Sequence, residues 1–196
     1  MTTAKGSRSI TDVGTLKALA HPLRMRLYRA LCVADRATAS HLADQVDEAV
    51  SLVSYHLRKL AEHGLIEEAE PQSADGRERW WQPSSEGVSI RDKDFRDAPE
   101  KVVAHTAAAR LFHDQRADLY RRHLDERSTW SHEWNAAAGD SESLLRLTAS
   151  ELDALRAELD ALARKYDELG RAAVAAGDTE GREHVALHVY GFPFRA

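Results

Sequence analysis

The sequence is poor in the features that define several whole classes of protein. Cys32 is the one cysteine among 196 residues, so no intrachain disulfide can form and a disulfide-framed secreted fold is excluded. No stretch approaches the roughly 20 uncharged apolar residues that a membrane helix needs. The opening MTTAKGSRSITD has no apolar core of the kind a signal peptide carries. With 10 Gly and 5 Pro and no repeat, the chain is not fibrous either. Together these absences predict a cytoplasmic protein with no membrane partner. Charge of one sign is also scarce, since 27 Lys+Arg stand against 32 Asp+Glu for a net charge of −5. Residues 1–90 hold 11 basic and 12 acidic side chains and the remainder 16 and 20, so the acidic excess sits mainly in the second half. Net charge governs long-range steering and leaves a local contact patch undecided. Catalytic signatures are missing too. There is no GxSxG and no Gly-rich phosphate loop, and Cys32 stands in no catalytic motif, so no enzyme and no cofactor is expected.

What is present is 43% hydrophobic and 30% charged, enough for one large domain or two small ones with a core. Residues 1–10 are small, polar and basic and read as a disordered leader. From an N-cap at Thr11 or Asp12, the residues Val13, Leu16, Leu19 and Ala20 recur at helical spacing until Pro22. A second helix follows from Leu23, with Leu27, Tyr28 and Leu31 as its stripe, and ends near Asp35. Thr38 can cap a short helix whose inward residues are His41 or Leu42, Ala43 and Val46. After a turn at residues 47–50, Ser51 can cap another that Gly64 terminates. Two short helices joined by a tight turn make a helix-turn-helix. Leu65, Ile66 and the residues to Glu70 then read as a strand, PQSADG as a turn, and RERWWQ as the returning strand, which together form a wing.

At about 100° per residue, Val53, Leu57 and Leu60 cluster on one side of the helix that starts at Ser51 and face the core. Ser51, Tyr55 and Glu62 lie almost opposite, with Ser54 and Arg58 on one flank and Lys59 on the other. Hydroxyls and Tyr suit phosphates and base edges in a major groove, and Arg suits a guanine. An isolated helix with such a face is more often simply solvated, and it is the preceding helix and following wing that favour DNA. His56, about 60° from the core direction, reads as half-buried packing. In the wing, Arg77 and Arg79 fall on one face near the tip, placed to follow a phosphate strand or enter the minor groove, although charge on an edge strand also serves to block aggregation. Trp80 and Trp81 must point to opposite faces, so at most one belongs to the wing's inner packing.

The segments LKALAHPLRMRLYRAL, ATASHLADQV, SLVSYHLRKLAEHGLIEE and GRERWW resemble the ArsR-type winged helix-turn-helix family of bacterial transcriptional regulators over roughly residues 12–90. The resemblance implies a homodimeric regulator, usually a repressor, that binds double-stranded operator DNA. Ser51, Ser54, Tyr55, Arg58 and Lys59 fall in the helix that enters the major groove in that family. The long C-terminal half is more like that of the extended, actinobacterial-type members. Family metal sensors often pair cysteines near the end of the second helix, whereas LCVAD offers Cys32 with Ala34 in the second place. One thiolate is no soft-metal site, so Cys32 reads as a small core residue. His184 and His188 are four apart but have no third ligand nearby, and His113 with Asp114 and His123 with Asp125 lack zinc-site spacing, so no metal is expected.

Residues 91–98, RDKDFRDA, read as a charged linker. Asp97 and Glu100 then open a long helix carrying Val103, Ala107, Leu111, Leu119, Tyr120 and Leu124. A capping box at Thr148 and Glu151, with Leu147 and Leu152 as its hydrophobic staple, starts another helix. On it Leu152, Leu159 and Tyr166, and Leu155, Leu162 and Leu169, repeat every seven residues as a coiled-coil seam. Val185, Leu187 and Val189 alternate as a short terminal strand stopped at Pro193. The expected architecture is mainly α with a small β-wing. It consists of a leader (1–10), a winged helix-turn-helix DNA-binding domain (11–90), a linker (91–98), and a helical dimerisation region with a short terminal strand (99–196). Phe112, Tyr120, Trp130, Trp134 and Tyr166 are the candidates to line a pocket for a small-molecule effector of unknown identity, or simply to fill a core. The competing reading is a winged-helix protein-interaction scaffold in which the heptad helix is the working part.

Overall fold

The computed structural model describes residues 8–71, 78–85 and 87–195. The chain divides into two compact units, Met1–Asp125 and Glu126–Ala196. The first holds strand β1 (Arg8–Ile10), helices α1 (Val13–Leu19) and α2 (Pro22–Ala34), strand β2 (Ala37–Thr38), helices α3 (Ala39–Val46) and α4 (Val50–Glu62), strands β3 (Ile66–Ala69), β4 (Trp80–Pro83) and β5 (Val88–Ile90), a 3-10 turn over Asp92–Phe95, and helix α5 (Pro99–Asp125). The architecture is mainly helical with small sheets forming a wing, as the residue pattern predicts.

The helix boundaries follow from local chemistry. Asp12 accepts from the Thr15 backbone N–H at 2.7 Å and opens α1; that bond holds its carboxyl below the usual carboxylate range. Pro22 stands at the first position of α2, where its missing N–H costs nothing. Thr38 caps α3 by accepting from the His41 N–H at 3.3 Å. At the end of α4, Gly64 takes φ +63°; its N–H reaches the Ala61 carbonyl at 2.8 Å and the Leu65 N–H reaches Leu60 at 3.0 Å. This is the paired closure that a left-handed residue permits. The start of α4 differs from expectation: Ala49 is the N-cap and contributes no side-chain bond, so Ser51 lies inside the helix with its hydroxyl available to solvent.

Two further expectations are corrected in this unit. The leader is not unstructured throughout, because Arg8–Ile10 pairs in parallel with Val88–Ile90 and Ile10 is fully buried. Residues 91–98 are more than a linker, since Phe95 joins the same core as Leu16, Leu27 and Phe112. The two tryptophans divide between the faces as alternation requires: β4 is the central strand of a sheet ordered β2-β4-β3, Trp81 enters the core, and Trp80, also buried, meets the His41 ring edge-on at 5.6 Å. The two-residue β2, too short to show a period, pairs antiparallel with β4 along its other edge. On α5, Ala108 and Phe112 are the buried residues, packed toward α1, while Val103 of the expected stripe is exposed.

In the second unit a 3-10 turn (Arg127–Thr129) precedes α6 (His132–Ala137). Ser131 caps α6 and the Asn135 amide donates to three carbonyls, those of Arg127, Trp130 and Ser131, each at 3.0 Å. Helix α7 (Ala149–Ala175) opens with the predicted capping box: the Thr148 N–H donates to the Glu151 carboxylate at 2.6 Å and the Glu151 N–H to the Thr148 hydroxyl at 3.3 Å. None of its residues is buried, and Leu162, Tyr166 and Leu169 of the heptad seam are 51%, 65% and 55% exposed. The terminal strand does not form. Residues 183–195 have no regular structure, Val185, Leu187 and Val189 are exposed, and the tail passes close enough to α7 that a Cβ on Gly191 would sit 3.0 Å from Leu152 Cδ1.

Candidate nucleic-acid interface

Helix α4 is held by its apolar face. Val53, Leu57 and Leu60 are completely buried, and burial of each is worth about 1.5–3 kcal/mol. α3 packs against it across a turn at residues 47–49, where Asp47 adopts φ +53°. That arrangement fixes which side of α4 faces solvent. Ser51, Tyr55 and Arg58 are exposed and Ser54 and Lys59 are partly so, giving the single face that the wheel predicts. Arg58 forms no ion pair among the described residues, so its guanidinium is available for an incoming acceptor. Lys59 is engaged differently: it bonds Glu62 at 2.7 Å, which pushes its pKa up, and lies 5.8 Å over the Tyr55 ring.

Beneath this face lies a pair of histidines. The His21 and His56 rings are 4.7 Å apart, and neither Nδ1 finds a hydrogen-bond partner among the described residues. Burial lowers both pKa values, and the nearby Arg24 adds to the effect. His56 is thus buried packing under α4, more enclosed than its wheel angle implies.

Several other arginines serve the fold. Arg8 donates to the carbonyls of His63, at 3.0 Å, and Gly64 at the end of α4. Arg24 bonds the Lys17 and Ala18 carbonyls at the end of α1, and Arg26 reaches the Val46 carbonyl, at 2.6 Å, at the end of α3. Each places a cation where helix C-terminal carbonyls lack partners. In the wing, Arg79 pairs with Glu68 on the neighbouring strand at 3.1 Å and sits 5.6 Å over the Trp81 ring, at the stem and not the tip. Arg77 lies outside the described residues.

One feature of the face escapes a search for polar and basic side chains. Leu52, in the first turn of α4, is 40% exposed, and Tyr55, three residues on, is 46% exposed. An apolar residue off the core side of an amphipathic wheel was the available signal.

The aromatic residues that the sequence suggests for an effector pocket are divided between the two units. Phe112 belongs to the core of the first unit, whereas Trp130, Trp134 and Tyr166 belong to the second, where Tyr166 is largely exposed. An open depression of about 400 Å³ in the first unit is lined instead by Asp92, His105, Thr106, Ala109, Arg110, His113 and Asp114. Among the described residues no group of three or more His, Cys, Asp or Glu side chains is placed to hold a metal ion, and no helix is long and apolar enough to cross a membrane.

Two helices joined by a tight turn, a helix presenting a polar and basic face, and a following antiparallel wing define a winged helix-turn-helix domain. Residues 19–69 match the helix-turn-helix domain family, and the chain carries such a domain. No curated protein matches the chain at a comparable level. Among solved structures it is similar to a possible transcriptional regulator for arsenical resistance (24% identity, 64% of this chain and 97% of the other, TM-score 0.31). It is also similar to ZitR of Lactococcus lactis (16% identity, 74% and 81%, TM-score 0.30). The adhesin competence repressor of Streptococcus pyogenes is a third (15% identity, 74% and 81%, TM-score 0.30).

Proposed function

We propose that the chain is a sequence-specific DNA-binding transcriptional regulator, a repressor that acts as a homodimer, with α4 entering the major groove of operator DNA. The observation that carries this reading is the solvent-facing side of α4. Ser51, Tyr55 and Arg58 share it inside a helix-turn-helix, and Arg58 has no ion-pair partner among the described residues. In this geometry the hydroxyls of Ser51 and Ser54 take phosphates or base edges, Arg58 takes a guanine, and Lys59 a phosphate at the cost of its bond to Glu62. Arg77 and Arg79 contribute phosphate contacts from the wing. The dimer forms through the exposed seam of α7, where Leu162, Tyr166 and Leu169 are left in solvent by a single chain. Cytoplasmic DNA is the partner. The arsenical role in one neighbour's description is not carried over, because one cysteine supplies no arsenite site.

Selection of bound duplexes from a random pool, followed by footprinting, tests the reading. Enrichment of a two-fold symmetric site with half-sites about one helical turn apart is expected. Recovery of no sequence above the unselected pool overturns it in favour of a protein-interaction scaffold.

A further inference from the structure

Leu52 sits where an ordinary surface helix carries a polar residue. In a helix-turn-helix the N-terminal residues of the groove-entering helix approach the base edges, and Leu52 lies in the first turn of α4. It stands three residues before Tyr55, so the two are neighbours on the helix surface. The Tyr55 ring is itself held, with the His56 ring edge-on at 5.2 Å and Lys59 Nζ 5.8 Å from its centroid. Leu52 therefore projects from a surface that continues the polar face of Ser51, Tyr55 and Arg58.

A leucine offers no donor and no acceptor. Among the groups that base pairs present in the major groove, the one that rewards an aliphatic side chain is the thymine 5-methyl; the others are hydrogen-bonding atoms that Leu52 would desolvate without compensation. We infer that Leu52 is a specificity-determining residue that reads the 5-methyl group of a thymine in the operator. The inference rests on the proposed DNA-binding reading and adds the chemistry of one base position to it. It assigns a division of labour along α4: the apolar contact in the first turn selects thymine, and Arg58, two turns on, selects guanine.

The test uses the full chain and the duplex enriched from a random pool, remade with deoxyuridine replacing each thymidine in turn. At one position in each half-site, removal of the methyl is expected to lower wild-type affinity about fourfold, the worth of one buried methyl group. Leu52→Ala binds the thymidine duplex more weakly by a similar factor and no longer distinguishes deoxyuridine at that position. Leu52→Met, which keeps an aliphatic contact, retains the discrimination. Unchanged thermal unfolding of the variants separates lost reading from lost folding. Specific binding that is indifferent to every deoxyuridine substitution overturns the inference while leaving the DNA-binding reading intact, as does a deoxyuridine effect that persists undiminished in Leu52→Ala. Absence of any specific duplex overturns both.

Discussion

In the N-terminal unit the apolar stripe of α4, Val53, Leu57 and Leu60, is wholly enclosed, whereas in the C-terminal unit the stripe of α7 ends in Leu162, Tyr166 and Leu169, all more than half exposed. Both helices are amphipathic and both have well-defined termini. They differ in whether the rest of the same chain supplies a partner for the apolar side. α4 is covered by α2 and α3, and its end is tied down by Arg8 and Gly64. α7 relies on its capping box and on the pairing of Arg171 with Asp167 at 3.0 Å, both exposed. Propensity and capping bring a helix of 27 residues into being, but the stability of most helices comes from packing of the apolar face. Leu162, Tyr166 and Leu169 are therefore side chains of α7 that the described residues leave largely uncovered, and the proposed dimer rests on them.

The sharpest way to test that contrast is to truncate one leucine in each stripe. Leu57→Ala removes a fully buried side chain and is expected to cost about 2–5 kcal/mol in denaturant unfolding. Leu162→Ala is expected to stay within about 0.5 kcal/mol for the isolated protomer. Equal costs would erase the distinction between the two stripes. Leu162→Asp carries the contrast to assembly: the full chain should fall from dimer to monomer mass in sedimentation while the first unit melts unchanged. A tight dimer after that substitution places the interface elsewhere. Next in size is Gly64→Ala, which forces a Cβ into a backbone with φ +63° and to 3.0 Å from the Arg8 guanidinium. A loss of about 1–2 kcal/mol is expected, and an unchanged melting temperature would show that the end of α4 is not held as described.

Smaller effects follow from charge. Arg79→Ala should leave folding stability nearly unchanged, because its ion pair with Glu68 is exposed. It should reduce the slope of log affinity against log salt by about one. A slope identical to that of the unaltered chain removes Arg79 from the DNA contacts. The histidine pair supplies a pH dependence. Burial lowers the pKa of His21 and His56 in the folded state, so the unfolded chain binds protons first and stability falls as pH drops below the ordinary histidine value near 6.5. Arg24 opposes protonation of both rings, and Glu48 favours it at His56. Denaturant unfolding at pH 7.5 and pH 5.5 should show this loss, and His56→Leu should reduce it. A loss of the same size in His56→Leu would assign the pH dependence to other groups.

The parts of this fold that were legible in the sequence are those specified by near neighbours. Asp12 and Thr38 announce their helices because a short acceptor reaches an N–H three residues on, and Gly64 announces an ending because few other residues adopt φ +63°. The exposed face of α4 was legible for the same reason, since a helical wheel depends on nothing beyond the spacing of residues along one helix. What was not legible depends on distant partners. β1 becomes a strand only because β5 lies beside it, 80 residues later in register, and β2 is recognisable only by its pairing with Trp80 and Trp81. Arg8, Arg24 and Arg26 find their acceptors only where the tertiary fold brings helix-end carbonyls within reach. The terminal alternation of Val185, Leu187 and Val189 failed for the complementary reason: a period of two makes a strand only where an edge is present to pair with it.

These differences also decide where the chain is cut. Phe95, Ala108 and Phe112 belong to the N-terminal core, so a fragment ending at residue 92 loses part of that core along with α5. A fragment ending at Asp125 keeps it.

The central claim is that the exposed face of α4 reads duplex DNA, and Arg58→Ala tests it most directly because that side chain is exposed and makes no ion pair among the described residues. Affinity of the full chain is measured for the selected duplex and for a scrambled duplex of the same length at one salt concentration. The unaltered chain should prefer the selected duplex by about a thousandfold or more. Arg58→Ala should lose about 1–3 kcal/mol on the selected duplex and much less on the scrambled one, with preference relaxed at a single position of each half-site. Equal losses on the two duplexes, or no loss on either, would contradict the assignment of base reading to α4.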